Sequence, residues 1–404
     1  MYLCVRILQS IINLNKNRMK KIAIICVFTM SMLGFSQTPT DSTNVGQFQQ
    51  NSAQRILSNT IDKGITIGGY GQIDYNQLDG ENGENGNLDI HRMVLLFGYK
   101  FNDKVQFVTE IELEHVKEIY VEQAFLTYNL SDNVNLRGGL MLVPMGLVNE
   151  YHEPTVFNGV ERPGVDKSIV PTTWREIGVG VNGKFDNLSL KYQAYVFNGF
   201  KSVNGTKFLG GSNGLRNGRQ KGAESIINSP TLSAKLDYYG IKGLRLGASA
   251  YLGDTQPEDD VEDVRGAKVM VKMFGADARY SYKKFRARGQ FIHTFLSGTE
   301  EYNALYASDL GSEMNGWYGE LAYNLLPLSN SKQLYAFARY EEFDTQANTE
   351  GFIANDAYDR NVLTTGVSFH IAPGAVVKAD YQFINSKVAD DATGGLNFGL
   401  GVWF

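Results

Sequence analysis

Glu110, Glu112 and Glu114 are spaced two apart, which puts three side chains on one face of a β-strand. Three carboxylates in a row can hold a divalent cation; a strand bathed in water on that side looks the same. Five histidines, His91, His115, His152, His293 and His370, offer bases or ligands. None stands in an H-E-x-x-H or zinc spacing, and no G-x-S-x-G elbow is present. A triad can be assembled on paper from any chain this rich in Ser and Asp, so composition alone argues for no hydrolase. His293 and His370 fall near strand ends, as interfacial or water-facing residues. The run GGSNGLRNGRQKG (210–222) lacks the G-x-x-x-x-G-K-[ST] phosphate-loop pattern. It reads as a flexible surface loop whose Arg216, Arg219, Lys207 and Lys221 draw in anions or meet lipopolysaccharide.

The elements that must position these side chains are strands. Runs of alternating character recur from residue 65: 65–75, 89–101, 105–114, 119–130, 134–142, 176–185, 188–197 and 231–239, then 244–252, 268–282, 285–295, 316–325, 334–343, 361–370, 375–383 and 395–404. Leu188, Leu190, Tyr192, Ala194 and Val196 oppose Ser189, Lys191, Gln193 and Tyr195; Leu232, Ala234, Leu236 and Tyr238 oppose Thr231, Ser233, Lys235 and Asp237. Connections alternate between tight turns, such as Asn102-Asp103-Lys104 and Ala372-Pro373-Gly374, and long segments at 76–88, 143–175, 198–230, 253–267, 296–315, 344–360 and 384–394. Only His115 to Glu118 breaks the rule. A soluble sandwich has no reason to place its long loops at one end, whereas a membrane barrel does. The fold expected is all-β: a closed, antiparallel, up-and-down transmembrane β-barrel of about sixteen strands over 65–404. Closure satisfies every backbone N–H and C=O in hydrocarbon. Leu396, Phe398, Leu400, Val402 and Phe404 form the lipid face of the last strand.

About sixteen strands enclose an aqueous channel. Its inferred lining carries Arg92, Arg137, Lys184, Lys191, Lys235, Arg245, Arg279, Arg286, Arg288, Arg339 and Lys378, with Glu110, Glu112, Glu114, Asp237, Asp277, Glu320, Glu341 and Asp380. Segregated charges set up a transverse field that orients solutes; alternatively these residues pair with one another in water. Loop 143–175 is too long and too apolar for a passive surface loop. Pro144, Leu147, Val148, Val156, Phe157, Ile169, Val170 and Trp174 call for burial. Folded inward, the loop narrows the pore and presents Glu150, His152, Glu153, Glu161, Arg162, Asp166, Lys167 and Arg175 to solute; folded outward, it packs on its own Pro turns or on a neighbouring subunit.

Met19-Lys20-Lys21, the apolar run after it and Gly34-Phe35-Ser36 have the form of a secretory signal peptide over 19–36, with 1–18 an upstream extension. Both cysteines, Cys4 and Cys26, fall in the removed part, which leaves no thiol ligand or disulfide. Removal also takes five bases and no acid, and the formal charge moves from −5 to −10. An acidic chain with scattered bases argues against nucleic-acid binding. Residues 37–64 read as a polar periplasmic segment with a weak helical face of Val45, Phe48, Ile56 and Leu57.

Val121-Glu122-Gln123-Ala124-Phe125-Leu126-Thr127-Tyr128, Arg137-Gly138-Gly139-Leu140, Pro144-Met145-Gly146-Leu147 and the segment Phe157 to Glu176 resemble the phosphate-selective porin O and P family, most closely its Bacteroidota members. The resemblance covers residues 65–404. It implies an outer-membrane diffusion channel of a Gram-negative bacterium, usually trimeric, with one long loop in the lumen and a ladder of arginines that conducts anions such as phosphate. A C-terminal aromatic on an alternating strand resembles the signal read by barrel-assembly machinery. This chain departs from the family pattern in its mixed-charge loop. The expected function is passage of small hydrophilic solutes or ions, without cofactor, metal or catalytic residue. A barrel-embedded hydrolase is the alternative.

Overall fold

The computed structural model describes residues 51–59, 64–79, 85–258, 263–388 and 392–404. The expected signal peptide and upstream extension lie outside them, as do Val45 and Phe48. Sixteen strands form one closed barrel: β1 (Gly64–Asp79), β2 (Asn87–Lys100), β3 (Val105–Glu114), β4 (Glu118–Ser131), β5 (Val134–Leu142), β6 (Arg175–Phe185), β7 (Leu190–Phe197), β10 (Thr231–Ile241), β11 (Leu244–Asp254), β12 (Met270–Tyr282), β13 (Phe285–Ser297), β14 (Glu313–Asn324), β15 (Gln333–Asn348), β16 (Asp359–Ala372), β17 (Ala375–Ser386) and β18 (Thr393–Trp403). Two further short strands, β8 (Val203–Asn204) and β9 (Lys207–Phe208), pair inside a loop.

Each barrel strand pairs antiparallel with its chain neighbour. β18 returns to β1 with Tyr70 opposite Trp403 and Asn76 opposite Asn397. Phe404 N–H donates to Gly69 O at 2.9 Å and Gly69 N–H to Phe404 O at 3.1 Å, so the seam continues to the last residue. No edge is left for hydrocarbon to desolvate.

The alternation read from the sequence has its physical counterpart. On β14, Trp317, Leu321 and Tyr323 point outward while Met314, Tyr318, Glu320 and Ala322 are buried inward. Leu396, Phe398, Leu400 and Phe404 are exposed on the outer face, and Val402 is half-buried. Several strands outrun their expected ends. β1 reaches Asp79 and β15 reaches Asn348, because the wall continues past the apolar band, where both faces are polar and alternation no longer marks a strand.

The packed core lies inside the barrel, where the segment between β5 and β6 and α1 (Ser52–Asn59) pack against the wall. Ala53 and Ile56 are buried, and Arg55 lies 4.6 Å over the Trp403 ring. A Cβ on Gly68 would stand 3.1 Å from Ile56 Cδ1, so the helix reaches the wall where the wall is bare. Part of the segment expected to be wholly periplasmic therefore enters the barrel, drawn in by its one apolar face.

Candidate functional site

The 143–174 segment crosses the lumen. Its apolar residues are buried as their composition demands: Val143, Leu147, Val148, Val156, Phe157, Ile169, Val170 and Trp174 all lie in the core. Trp174 stacks on Phe200 at 4.3 Å and 14° and meets Tyr251 at 4.7 Å, which anchors the return into β6. At the other end Gly146, with φ +67°, passes so close to β13 that a Cβ would come within 2.8 Å of Gln290 Oε1. Only glycine allows both that backbone and that approach.

Wall charges hold the segment in place. Lys235 on β10 donates to Gly146 O at 2.6 Å and pairs with Glu150 Oε2 at 2.9 Å. Gln193 on β7 donates to Glu150 Oε1 at 2.8 Å. Burial opposes ionisation of Glu150, yet Lys235 and Lys191 hold its carboxyl down at about 2. Across the lumen, Asn158 donates to Glu320 at 2.8 Å, Val160 N–H to Asp380 at 2.6 Å and Gly164 N–H to Glu341. Lys378 donates to Gly159 O at 2.7 Å and Arg339 to Glu161 O at 3.1 Å, while Asn76 on β1 donates to Glu161 Oε1 at 2.8 Å. Gln290 donates to Asp166 Oδ1 at 3.0 Å. Burial pushes the Asp166 carboxyl up to about 7 against that bond.

This changes what the expected residues do. Glu150, His152, Glu153, Asp166 and Arg175 are buried against the wall, Glu161 and Arg162 are half-buried, and only Lys167 is exposed. An inward loop needs its polar atoms satisfied, and the wall supplies the partners. Lining charges also pair side by side: Arg92 with Glu112 at 3.2 Å, Arg245 with Asp237 at 3.4 Å and Arg288 with Glu320 at 2.9 Å. Segregated walls of opposite sign are therefore not what the lumen presents. Arg137 lies over Phe125 at 4.4 Å, and Lys184 sits at the rim, paired with Asp186. His293 is near Glu313 and His370 meets the Tyr335 ring edge-on. Glu114 is half-buried near Arg92, so the three-carboxylate row does not act as one ligand set.

The Gly-rich run is not a free surface loop. Leu209 and Leu215 bury, and Arg219 donates to Thr172 O at 2.5 Å and to Pro171 O at 3.4 Å. Arg216 donates to Thr172 O at 3.3 Å. Two arginines thus cap carbonyls just beyond the π-helical turn Val165–Ile169. Lys221 lies 5.1 Å over Tyr120, and Lys207 is exposed.

One row of bases runs across this pairing. Strand register sets Arg245 of β11 opposite Arg279 of β12, Arg279 opposite Arg288 of β13, Arg288 opposite Glu320 of β14, and Glu320 opposite Arg339 of β15. Arg279 lies over Tyr151 at 4.2 Å, and none of its three side-chain nitrogens has a hydrogen-bond acceptor among the described residues. It borders an open recess with Arg286, Arg288, Tyr151 and Asn158. The individual bases were legible; their alignment needed the register.

The family model described as phosphate-selective porin O and P matches residues 65–395. An uncharacterized protein of Aquifex aeolicus (strain VF5) is 33% identical over 342 residues, covering 80% of this chain and 76% of that one. Among solved structures, an anion-selective porin from Comamonas acidovorans aligns with TM-score 0.57 at 11% identity, covering 85% of this chain and all (100%) of that one. The trimer form of OmpT, an outer membrane protein of Vibrio cholerae, aligns with TM-score 0.51 at 13% identity, covering 85% and 100%. At such identities the structures share the fold.

Proposed function

The chain belongs to the phosphate-selective porin O and P family and is an outer-membrane channel, and we propose that it passes small hydrophilic anions, inorganic phosphate among them, along the arginine row of β11–β15. The row carries this reading. Like charges set directly opposite on neighbouring strands destabilise a sheet, and Arg279 is buried without an acceptor among the described residues, a costly state for a charged donor. An anion passing the recess relieves both. Glu320 within the row and the anchored loop keep the anion from binding too tightly to leave.

Planar-bilayer recording of the refolded protein in a salt gradient tests this. Anion preference is expected, with conductance blocked by titrated phosphate, and Arg279→Ala should weaken both. A cation-preferring reversal potential would overturn the proposal. Folded protein without any conductance would do the same. A homotrimer embedded in lipid and lipopolysaccharide belongs to the same reading, supported by the trimer form described for the Vibrio cholerae structure and checked by crosslinking in membranes. Phe404→Ser is expected to slow insertion by barrel-assembly machinery.

A further inference from the structure

Away from the arginine row, the β3–β4 wall holds a cluster that conduction does not use. A register shift between Glu110 and Ile111 sets Glu110 opposite Gln123 and Ile111 opposite Val121, which leaves Glu122 as the extra residue of a β-bulge. Bulges re-aim side chains, and here Glu122 and Gln123 both turn inward. Glu122 then stands beside Glu110, and His152 comes down from the lumen-crossing segment to meet them. All three are 0% exposed. One ligand atom from each lies within 4.8 Å of the others.

We propose that Glu110, Glu122 and His152 bind a divalent metal ion of the zinc class, which staples the constriction segment to the barrel wall. His152 Nδ1 lies 3.0 Å from Asn149 O; donation there presents Nε2 as the free lone pair, as ligating histidines are held by a partner on the other nitrogen. Nε2 is 3.3 Å from Glu122 Oε1 and 3.1 Å from Tyr70 Oη. Ligand atoms around a tetrahedral zinc stand about 3.3 Å apart.

Among the described residues Glu110 Oε1 is buried without a hydrogen-bond donor, and Glu122 Oε1 has only the His152 imidazole beside it. The second oxygen of Glu110 is held by Gln123 at 2.5 Å, and that of Glu122 by Tyr70 at 3.1 Å, which orients each free oxygen. Arg92, the base on the same wall, is paired with Glu112. One imidazole with two carboxylates suits zinc and its first-row neighbours, whereas Ca²⁺ and Mg²⁺ take oxygen ligands.

The test titrates the full-length barrel, chelator-treated and held in detergent, with Zn²⁺ by calorimetry and with Co²⁺ by visible absorption. One equivalent per chain is expected. Glu110→Gln, Glu122→Gln and His152→Ala should each weaken binding at least tenfold, and His115→Ala should leave it unchanged. That control matters because Asp89, His91 and His115 form a second, more exposed group. No stoichiometric binding, or binding lost in His115→Ala and kept in His152→Ala, overturns the proposal. If the lumen variants fail to fold, X-ray absorption of the zinc-loaded wild type decides: one imidazole among oxygen ligands supports the site, and two imidazoles refute it. Titration does not read conductance, so this inference and the anion reading fail separately.

Discussion

Replacing Lys235 by methionine keeps most of the unbranched side chain and removes one charge from the centre of the clamp. Two groups lose their donor at once: Glu150, paired at 2.9 Å, and Gly146 O, at 2.6 Å. Asp277, 3.9 Å from the same ammonium, loses its nearest cation. Breaking one side of a buried pair costs about 3–5 kcal/mol. Gln193 still donates to Glu150, which places the expected loss near the lower end, about 3 kcal/mol. At 1.4 kcal/mol per tenfold, the released state of the 143–174 segment gains population by about a hundredfold. Hydrogen exchange of that segment should accelerate accordingly, with the barrel strands unchanged, and single-channel records should become noisier. Glu150 is held down at about 2 mainly against burial and by Lys235 with Lys191. Without Lys235 its carboxyl moves up, so Lys235→Met should recover at low pH. The double variant Lys235→Met/Glu150→Gln removes both charges and should restore much of the protection, since a matched neutral pair leaves no stranded ion. Unchanged exchange in the single variant, or a double variant as loose as the single, would refute the clamp.

Asp166, buried and pushed up to about 7 from its usual 3.8, prefers its neutral form in the folded state. Its contribution is therefore complete below about pH 4 and is lost as pH rises through 7. Corrected for the base-catalysed intrinsic rate, exchange of the lumen-crossing segment should speed up between about pH 4 and 7 by at most roughly the tenfold per unit that a single proton allows, and level off above; Asp166→Asn should flatten that rise. Gln290, Arg288 and Arg339, which favour the ionised form, and Glu341, which opposes it, are the neighbours that set the midpoint. Ile56→Asp places an unpaired carboxylate on the buried face of α1 and is expected to expel the helix, read as larger single-channel conductance with unchanged ion preference. Leu400→Arg, on the outer face, should lower folding stability in lipid vesicles by about 2–4 kcal/mol if it lies near the midplane.

Strands were legible because lipid outside and water inside impose a two-residue period that any single strand shows weakly and sixteen show together. The inward fold of 143–174 was legible for a related reason: Val156, Phe157, Ile169 and Trp174 have nowhere else to bury. What escaped was pairing. Glu122 sits among outward-pattern residues of β4 by simple alternation, and only the bulge turns it in. Lys378 and Asp380, read as lining charges, are attached to Gly159 O and Val160 N–H, contacts more than two hundred positions apart in the chain. Alternation reports which face a residue takes but not which loop atom meets it there.

That pairing also separates two tasks that composition runs together. The bases off the arginine row that touch the lumen-crossing segment from the wall, Lys235 and Lys378, meet carbonyls or carboxylates at hydrogen-bond distance. They act as scaffold, and an anion that competed for them would loosen the constriction. Arg279 touches the segment differently: its guanidinium rests on the face of Tyr151, and among the described residues its nitrogens meet no acceptor. A ring face steadies a cation without using up its donors. An anion that reaches Arg279 therefore has hydrogen bonds to gain and no structural bond to break. Selectivity and architecture then respond to different substitutions: Lys235→Met should loosen the segment with little change in ion preference, and Arg279→Ala should change ion preference with the segment still protected from exchange. If the two variants instead showed the same paired phenotype, the separation of scaffold from conduction path would be wrong.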